Sequence, residues 1–156
     1  MPGAPFDPAS VSVLAFRASH MYRVTEVVQF CYGHRLLRYQ GKCAHLHGHN
    51  GRIEIEITSP TLDDQSMVAD FSRIGRIVKE WIDQNLDHRM LLHRDDPLVS
   101  VLKAHDEPVF LMSSDPTAEA IARLVYDYAV SQGLKVSQIR LWETDTSVAA
   151  YRPPAR

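Results

Sequence analysis

Between His47 and Thr58 the chain reads His-Gly-His-Asn-Gly-Arg-Ile-Glu-Ile-Glu-Ile-Thr, the clearest period of two that it contains. In extended chain Ile53, Ile55 and Ile57 face one way, while Arg52, Glu54 and Glu56 face the other. That describes a strand with one buried face and one wet face. Such a strand needs a partner, and Arg23 to Phe30 (RVTEVVQF), β-branched and aromatic, supplies one. Near the end of the chain, QIRLWE and SVAAY read as two further short strands joined at Thr144-Asp145-Thr146.

Two helices lie between these pairs. Asp70 caps a first, from Phe71 to about Leu86, whose apolar residues Phe71, Ile74, Ile77-Val78, Trp81-Ile82 and Leu86 recur at three or four positions. A second opens at Ser114-Asp115-Pro116-Thr117, with proline in its first turn, and runs through Ile121, Leu124-Val125 and Tyr128 to a stop at Gly133. The long segment from Leu92 to Ser113 reads as a connection with one short helix at Leu98 to Lys103. The order strand, strand, helix, helix, strand, strand predicts an α+β fold: a four-stranded antiparallel sheet with two helices on one face.

The chain has 156 residues, 45% of them apolar, enough for a core without disulfides. No apolar run approaches the ~20 residues of a membrane span. Residues 1–10 hold three prolines, no basic residue precedes Arg17, and the only cysteines are Cys31 and Cys43. A secretory leader is therefore not expected, and reduced thiols in a cytoplasm are. Net charge is only −2, which argues against nucleic acid as partner. Its distribution is uneven. From Val27 to Ile53 there is no acid, and the window holds Arg35, Arg38, Lys42, Arg52 and four of the eight histidines. A basic, His-rich segment in an acidic chain suits a small anion; an ordinary solvated loop is the plainer alternative.

His45, His47 and His49 alternate just before the strand. Neighbours in that series lie ~6.6 Å apart and the outer pair ~13 Å apart, so at most two reach one zinc with bonds of ~2.1 Å. Gly48 lets the backbone come close and favours His47 with His49. A third imidazole must come from the adjacent strand, where His34 is the natural supplier. Three histidines with an open fourth position form a catalytic pattern, not a closed structural one. A chance His-Gly-His on a surface loop, or a structural site using Cys43, are the competing readings; the second lacks a Cys-x-x-Cys spacing.

Cys43 follows Lys42 in the same window. Beside a metal but not bound to it, its thiolate suits a general base; otherwise it is a buried, inert thiol. Cys31, in the apolar strand end, reads as a small core residue. Asp87 beside His88 at the close of the first helix can hold the imidazole in one tautomer as a proton shuttle, or serve only as a helix-end pair. Glu143, at a strand end, suits bidentate capture of a guanidine-like edge such as the amino-pyrimidinone of a pterin or guanine; an exposed strand-end acid is the alternative. His20, His93 and His105 read as surface residues.

Taken together, Phe30-x-x-x-His34-Arg35-Leu36, Lys42-Cys43-x-x-Leu46-His47-Gly48-His49-Asn50, Met67-Val68-x-Asp70-Phe71, Leu86-Asp87-His88, Pro116-Thr117-Ala118-Glu119 and Glu143-Thr144 resemble the 6-pyruvoyltetrahydropterin synthase / 6-carboxytetrahydropterin synthase family. The resemblance implies the tunnelling fold over residues 23–152, behind an N-terminal extension at 1–22. Subunits of that fold join into barrels, usually a homohexamer of two trimers, with sites between subunits. It implies Zn2+ on His34, His47 and His49, Cys43 as proton acceptor, an Asp87/His88 relay and Glu143 as pterin anchor. Three residues between Cys43 and His47 resemble the bacterial 6-carboxytetrahydropterin synthases of queuosine and other 7-deazapurine synthesis. Their substrate is 7,8-dihydroneopterin triphosphate, and acetaldehyde and triphosphate are lost. In the pyruvoyl-forming members only triphosphate is eliminated, and a non-catalytic zinc or pterin binder on the same fold is a third reading. Arg35, Arg38, Lys42 and Arg52 are the candidate phosphate ligands. The chain departs from the family pattern at Tyr32-Gly33, where Ala-Ala is usual and Tyr32 narrows the pocket, at the additional His45, and in the long Leu92–Ser113 segment.

Overall fold

The computed structural model describes residues 20–154, so the frayed arm expected at 1–10 and most of the extension at 1–22 lie outside the described residues. The elements are β1 (Tyr22–His34), β2 (His47–Ser59), α1 (Phe71–Asn85), β3 (Arg89–His93), α2 (Leu98–Ala104), β4 (Val109–Met112), α3 (Ala118–Ser131), β5 (Val136–Thr144) and β6 (Ser147–Tyr151). They form one sheet in the order β4-β3-β1-β2-β5-β6.

The β1–β2 hairpin, the β2–β5 pair and the β5–β6 hairpin are antiparallel, as the sequence predicts. The strand count is not: the sheet has six strands. RMLLH and VFLM, at the edges of the segment read as a connection, add β3 and β4 parallel to β1 and to each other. Strands this short carry almost no periodicity, and only three residues separate β3 from the end of α1. The short helix expected at Leu98 to Lys103 is α2, spanning the parallel β3–β4 connection.

One face of the sheet carries the core. Val28 and Phe30 of β1, Ile53, Ile55 and Ile57 of β2, and Ile139 and Leu141 of β5 pack with Ile74, Val78 and Ile82 of α1 and Ile121, Val125 and Ala129 of α3. Both long helices thus cover the same face. Asp70 caps α1 by accepting from the Ser72 N–H at 2.8 Å. Thr117 caps α3 by accepting from the Ala120 N–H at 3.3 Å. Pro116 is therefore not in the first turn of α3 but just ahead of its cap, which frees its carbonyl for another partner. Gly133, at φ 79°, ends the turn after α3 in the left-handed region open to glycine.

The opposite face departs from the wet face read in the alternation. Glu54 and Glu56 are only 8% and 2% exposed. Glu54 lies 2.6 Å from Arg52 and 2.8 Å from Arg140, and accepts from the Trp142 indole at 3.1 Å. Glu56 lies 3.2 Å from Arg23 and accepts from the Ser137 hydroxyl at 3.1 Å. Long side chains from β1 and β5, the two neighbours of β2, close over carboxylates that an isolated strand would leave in water.

A second buried charge fixes the loop after β1. Arg35 Nε donates to Asp96 at 2.7 Å, and Asp96 also accepts the Leu98 N–H at 2.8 Å. Asp115 accepts from the backbone N–H groups of Leu37 and Arg38 at 3.1 and 3.3 Å. Burial opposes ionisation of Asp96, but the bonds from Arg35 and the Leu98 N–H outweigh it and hold the carboxyl below the usual carboxylate range. A lowered folded-state value means stability present above the unfolded value of about 4 and lost as pH falls through the folded one. Asp96→Ala leaves Arg35 half of a buried pair, so unfolding in urea is expected to show a loss of about 3 kcal/mol at pH 7. The deficit relative to wild type should shrink below pH 4; a pH-independent deficit would assign it to packing instead.

Candidate metal centre and catalytic cleft

The β1–β2 register sets His34 opposite His47 and Tyr32 opposite His49. With the alternation of a strand, His47 and His49 continue the buried column Ile57, Ile55, Ile53 towards the start of β2, and His34 ends the matching column of β1. At Gly48 an added Cβ would lie 2.9 Å from the Tyr32 carbonyl oxygen, so only glycine permits the close approach of the two strands there.

His34, His47 and His49 each offer a ring nitrogen, and these nitrogens all lie within 4.8 Å of one another. Two of the rings are oriented by carbonyl groups. His34 Nδ1 donates to Pro116 at 2.7 Å and His47 Nδ1 to His45 at 2.8 Å. Fixing Nδ1–H in this way leaves Nε2 as the lone-pair nitrogen, the usual outer support of a metal-bound histidine. Nε2 of His34 and of His49 are buried with no hydrogen-bond partner among the described residues. Orphaned buried nitrogens converging on one point are costly unless a ligand takes them, and the donor set of three neutral imidazoles fits a divalent transition metal. Burial, followed in size by an opposing bond from the Pro116 carbonyl, lowers the His34 pKa and favours the neutral ring that a metal requires. His45 contributes its backbone; its imidazole is exposed.

The three histidines line a cleft of about 420 Å³ together with Cys43, Glu143 and Glu119. Cys43 sits on the single 3-10 turn Lys42–Ala44, half-buried, its carbonyl tied to the Leu36 N–H at 2.8 Å. Glu143 occupies an irregular step of the β5–β6 ladder, between the pairs of Trp142 and Thr144. Bulges re-aim side chains, and this one brings Glu143 Oε1 to 3.8 Å from His34 Nε2 and 3.9 Å from His49 Nε2. The same oxygen accepts from the Tyr32 hydroxyl at 3.0 Å.

Asp87 and His88 are not in that cleft. His88 lines a second one, of about 430 Å³, with Cys31, Asn50 and Met90, and the two clefts meet at His49. Asp87 accepts from the Cys31 N–H and from His88 Nδ1, both at 2.7 Å. Burial opposes its ionisation, but these two bonds outweigh it and lower its pKa. His88 has φ 54°, unusual for a non-glycine residue. Its backbone N–H bonds the Cys31 carbonyl at 2.7 Å, and its side chain is 80% exposed. The pair is a presented imidazole held in one tautomer, separated from Cys43 within a single chain.

Several expectations change. Cys31 is not a core residue: it lies on the sheet face opposite the helices, half-buried, 3.0 Å from Asn50 Oδ1. His93, read as a surface residue, is buried and accepts from the Asp95 N–H at 3.1 Å. Arg35 and Arg52 are committed to Asp96 and Glu54, which leaves Arg38 and Lys42 of the four candidate phosphate ligands. The Pro116 carbonyl, Asp96 and Asp115 were not found from sequence. Asp95-Asp96-Pro97 does carry a turn signal, whereas a carbonyl partner leaves none.

The sequence model of the family described as 6-pyruvoyl tetrahydropterin synthase matches residues 23–154. A 6-carboxy-5,6,7,8-tetrahydropterin synthase from Rickettsia conorii is 36% identical over 131 residues, 80% of this chain and 95% of that one. One from Haemophilus influenzae is 31% identical over 140 residues, 85% and 99% of the two chains. Among solved structures, an uncharacterized protein from Wolinella succinogenes aligns with TM-score 0.71 at 26% identity, covering 85% of this chain and 98% of that one. The 6-pyruvoyl tetrahydropterin synthase of Caenorhabditis elegans aligns with TM-score 0.64 at 18% identity, over 86% and 96%, a likeness of fold. No helix among the described residues is long and apolar enough to cross a membrane.

Proposed function

Because the chain belongs to the 6-pyruvoyl tetrahydropterin synthase family, we propose that it is a 6-carboxy-5,6,7,8-tetrahydropterin synthase. It converts 7,8-dihydroneopterin triphosphate to the carboxypterin with loss of acetaldehyde and triphosphate. The observation that carries this reading is one cleft uniting three imidazoles, a thiol and the carboxylate of Glu143, two of the imidazoles presenting nitrogens without a hydrogen-bond partner among the described residues.

Zinc held by His34, His47 and His49 would supply a Lewis acid that polarises the side-chain oxygens of the substrate and eases loss of their protons. Glu143 accepts the paired N–H donors of the amino-pyrimidinone edge, a charge-assisted bidentate contact. With the ring anchored there, the side chain of the substrate lies towards Cys43, which takes a carbon-bound proton as general base. Asp87 keeps the His88 ring in one tautomer, and His88 moves protons at the other end of the side chain. Its high exposure and its separate cleft suit delivery into the cleft of a neighbouring copy. As the resemblance to the family implies, the working unit is a homo-oligomer, a hexamer of two trimers. Arg38 and Lys42, the two of the four candidate cations not committed to a carboxylate, hold the triphosphate.

Incubating the purified zinc-loaded protein with dihydroneopterin triphosphate is expected to give 6-carboxytetrahydropterin by mass and one acetaldehyde per turnover. Triphosphate release with a pyruvoyl product and no acetaldehyde would place the chain with the pyruvoyl-forming members instead. Unchanged substrate would overturn the enzymatic reading.

A further inference from the structure

Tyr32 is a core-facing residue only 3% exposed, yet its hydroxyl reaches a carboxylate that lines the cleft of the three histidines. Its ring stacks on Phe30 at 5.2 Å and meets the His34 ring edge-on at 5.2 Å. To reach Glu143 it must cross from β1 over the whole width of β2 to β5. Gly51 opens that passage. The β2–β5 ladder runs as far as Arg52 opposite Trp142, so Gly51 and Glu143 follow at its end. A Cβ at Gly51 would lie 3.0 Å from the Tyr32 ring, 3.3 Å from Phe30 and 3.4 Å from Leu141. The phenol thus passes through the space that the missing side chain of Gly51 leaves in β2, and its O–H donates to Glu143 Oε1 at 3.0 Å.

We propose that Tyr32 is a positioning residue for Glu143: reaching across β2 over Gly51, its hydroxyl fixes the bulged carboxylate and sets the direction in which it meets a ligand. Glu143 occupies an irregular ladder step and its side chain has no other hydrogen bond among the described residues, so without Tyr32 it would sample several rotamers. With Oε1 held on one side by the phenol, a second lone pair of Oε1 and both of Oε2 remain for a planar donor pair. This rests on the pterin reading of Glu143 given above, and a donor pair of that kind is what the ring edge presents.

The test is a double-mutant cycle of Tyr32→Phe and Glu143→Gln, with Gly51→Ala as an independent route to the same defect. Phenylalanine keeps the ring in its slot and removes only the donor. Titration of the zinc-loaded proteins with neopterin, followed by its fluorescence, is expected to show about tenfold weaker binding in Tyr32→Phe, the size of a bond to a charged acceptor. In the Glu143→Gln background the same change should cost less than twofold, and Gly51→Ala should weaken binding as Tyr32→Phe does. In turnover the loss should fall on KM rather than kcat, since the carboxylate holds the ring edge and takes no part in the bond changes. Equal losses in both backgrounds, or none, would overturn the proposal. So would loss of zinc from Glu143→Gln, which would give the carboxylate to the metal instead. Should wild-type protein bind no neopterin, the pterin reading falls. A cycle with Glu143→Ala, which removes the acceptor oxygen that glutamine would keep, is then read in urea unfolding at one fixed protein concentration. About tenfold coupling in the unfolding constant upholds the positioning role, and no coupling overturns it.

Discussion

His34→Ala is expected to leave the protein folded but without bound metal and without turnover. Of the three clustered histidines, His34 is the one most completely defined by its surroundings: it is buried, its Nδ1 is committed to the Pro116 carbonyl, and its Nε2 has no hydrogen-bond partner among the described residues. Removing an outer support of a metal-bound histidine typically costs 10–100-fold in metal affinity, and removing the ligand itself should cost more. Elemental analysis of wild-type and variant protein, purified in parallel without added chelator, checks this. Wild type should carry close to one zinc per chain and His34→Ala less than a tenth of that. Near-stoichiometric metal in His34→Ala, in protein whose circular dichroism matches wild type, would remove the triad from the account. Alanine at a buried histidine also opens a cavity, so His34→Gln, closer in volume, serves as the folding control and should lose the metal equally.

Cys43→Ala should separate chemistry from metal binding. Cys43 is on a 3-10 turn outside the β1–β2 ladder and is not one of the three clustered histidines. Its replacement is expected to leave zinc content unchanged while turnover falls by about 10²–10⁴-fold, the usual worth of a positioned general base. A quantitative assay of acetaldehyde release under substrate saturation reads the loss directly. Activity within threefold of wild type would show that Cys43 is not the base. Zinc loss in step with activity would make it a ligand, the closed Cys/His site that the sequence leaves open.

The two antiparallel hairpins and the two long helices were legible because each carries its own signal: alternation at Ile53, Ile55 and Ile57, helical spacing from Phe71 to Leu86, a cap at Asp70 and a stop at Gly133. What escaped the sequence was what only neighbours decide. β3 and β4 are five and four residues long, and their place comes from parallel pairing, β3 with β1 and β4 with β3, which no local pattern encodes. Glu54 and Glu56 alternate like wet-face residues and are buried because arginines of other strands cover them. The grouping of His34 with His47 and His49 could be reasoned from spacing, since strand geometry limits which imidazoles meet. The tie from Tyr32 through the Gly51 gap to Glu143 could not, because it spans three strands and 111 residues of sequence. Asp87 and His88 were visible as a pair, but their separation from Cys43 within one chain depends on the fold.

The column from Ile57 to His47 changes from aliphatic to imidazole without leaving the same face of β2. An ion gripped at its end would rivet three stretches of chain that are far apart in sequence: the exit of β1, the entry of β2 and, through the Pro116 carbonyl, the approach to α3. Cofactor retention and the stiffness of that rim would then be one property, so that a cell short of the metal would hold a softer protein as well as an idle one.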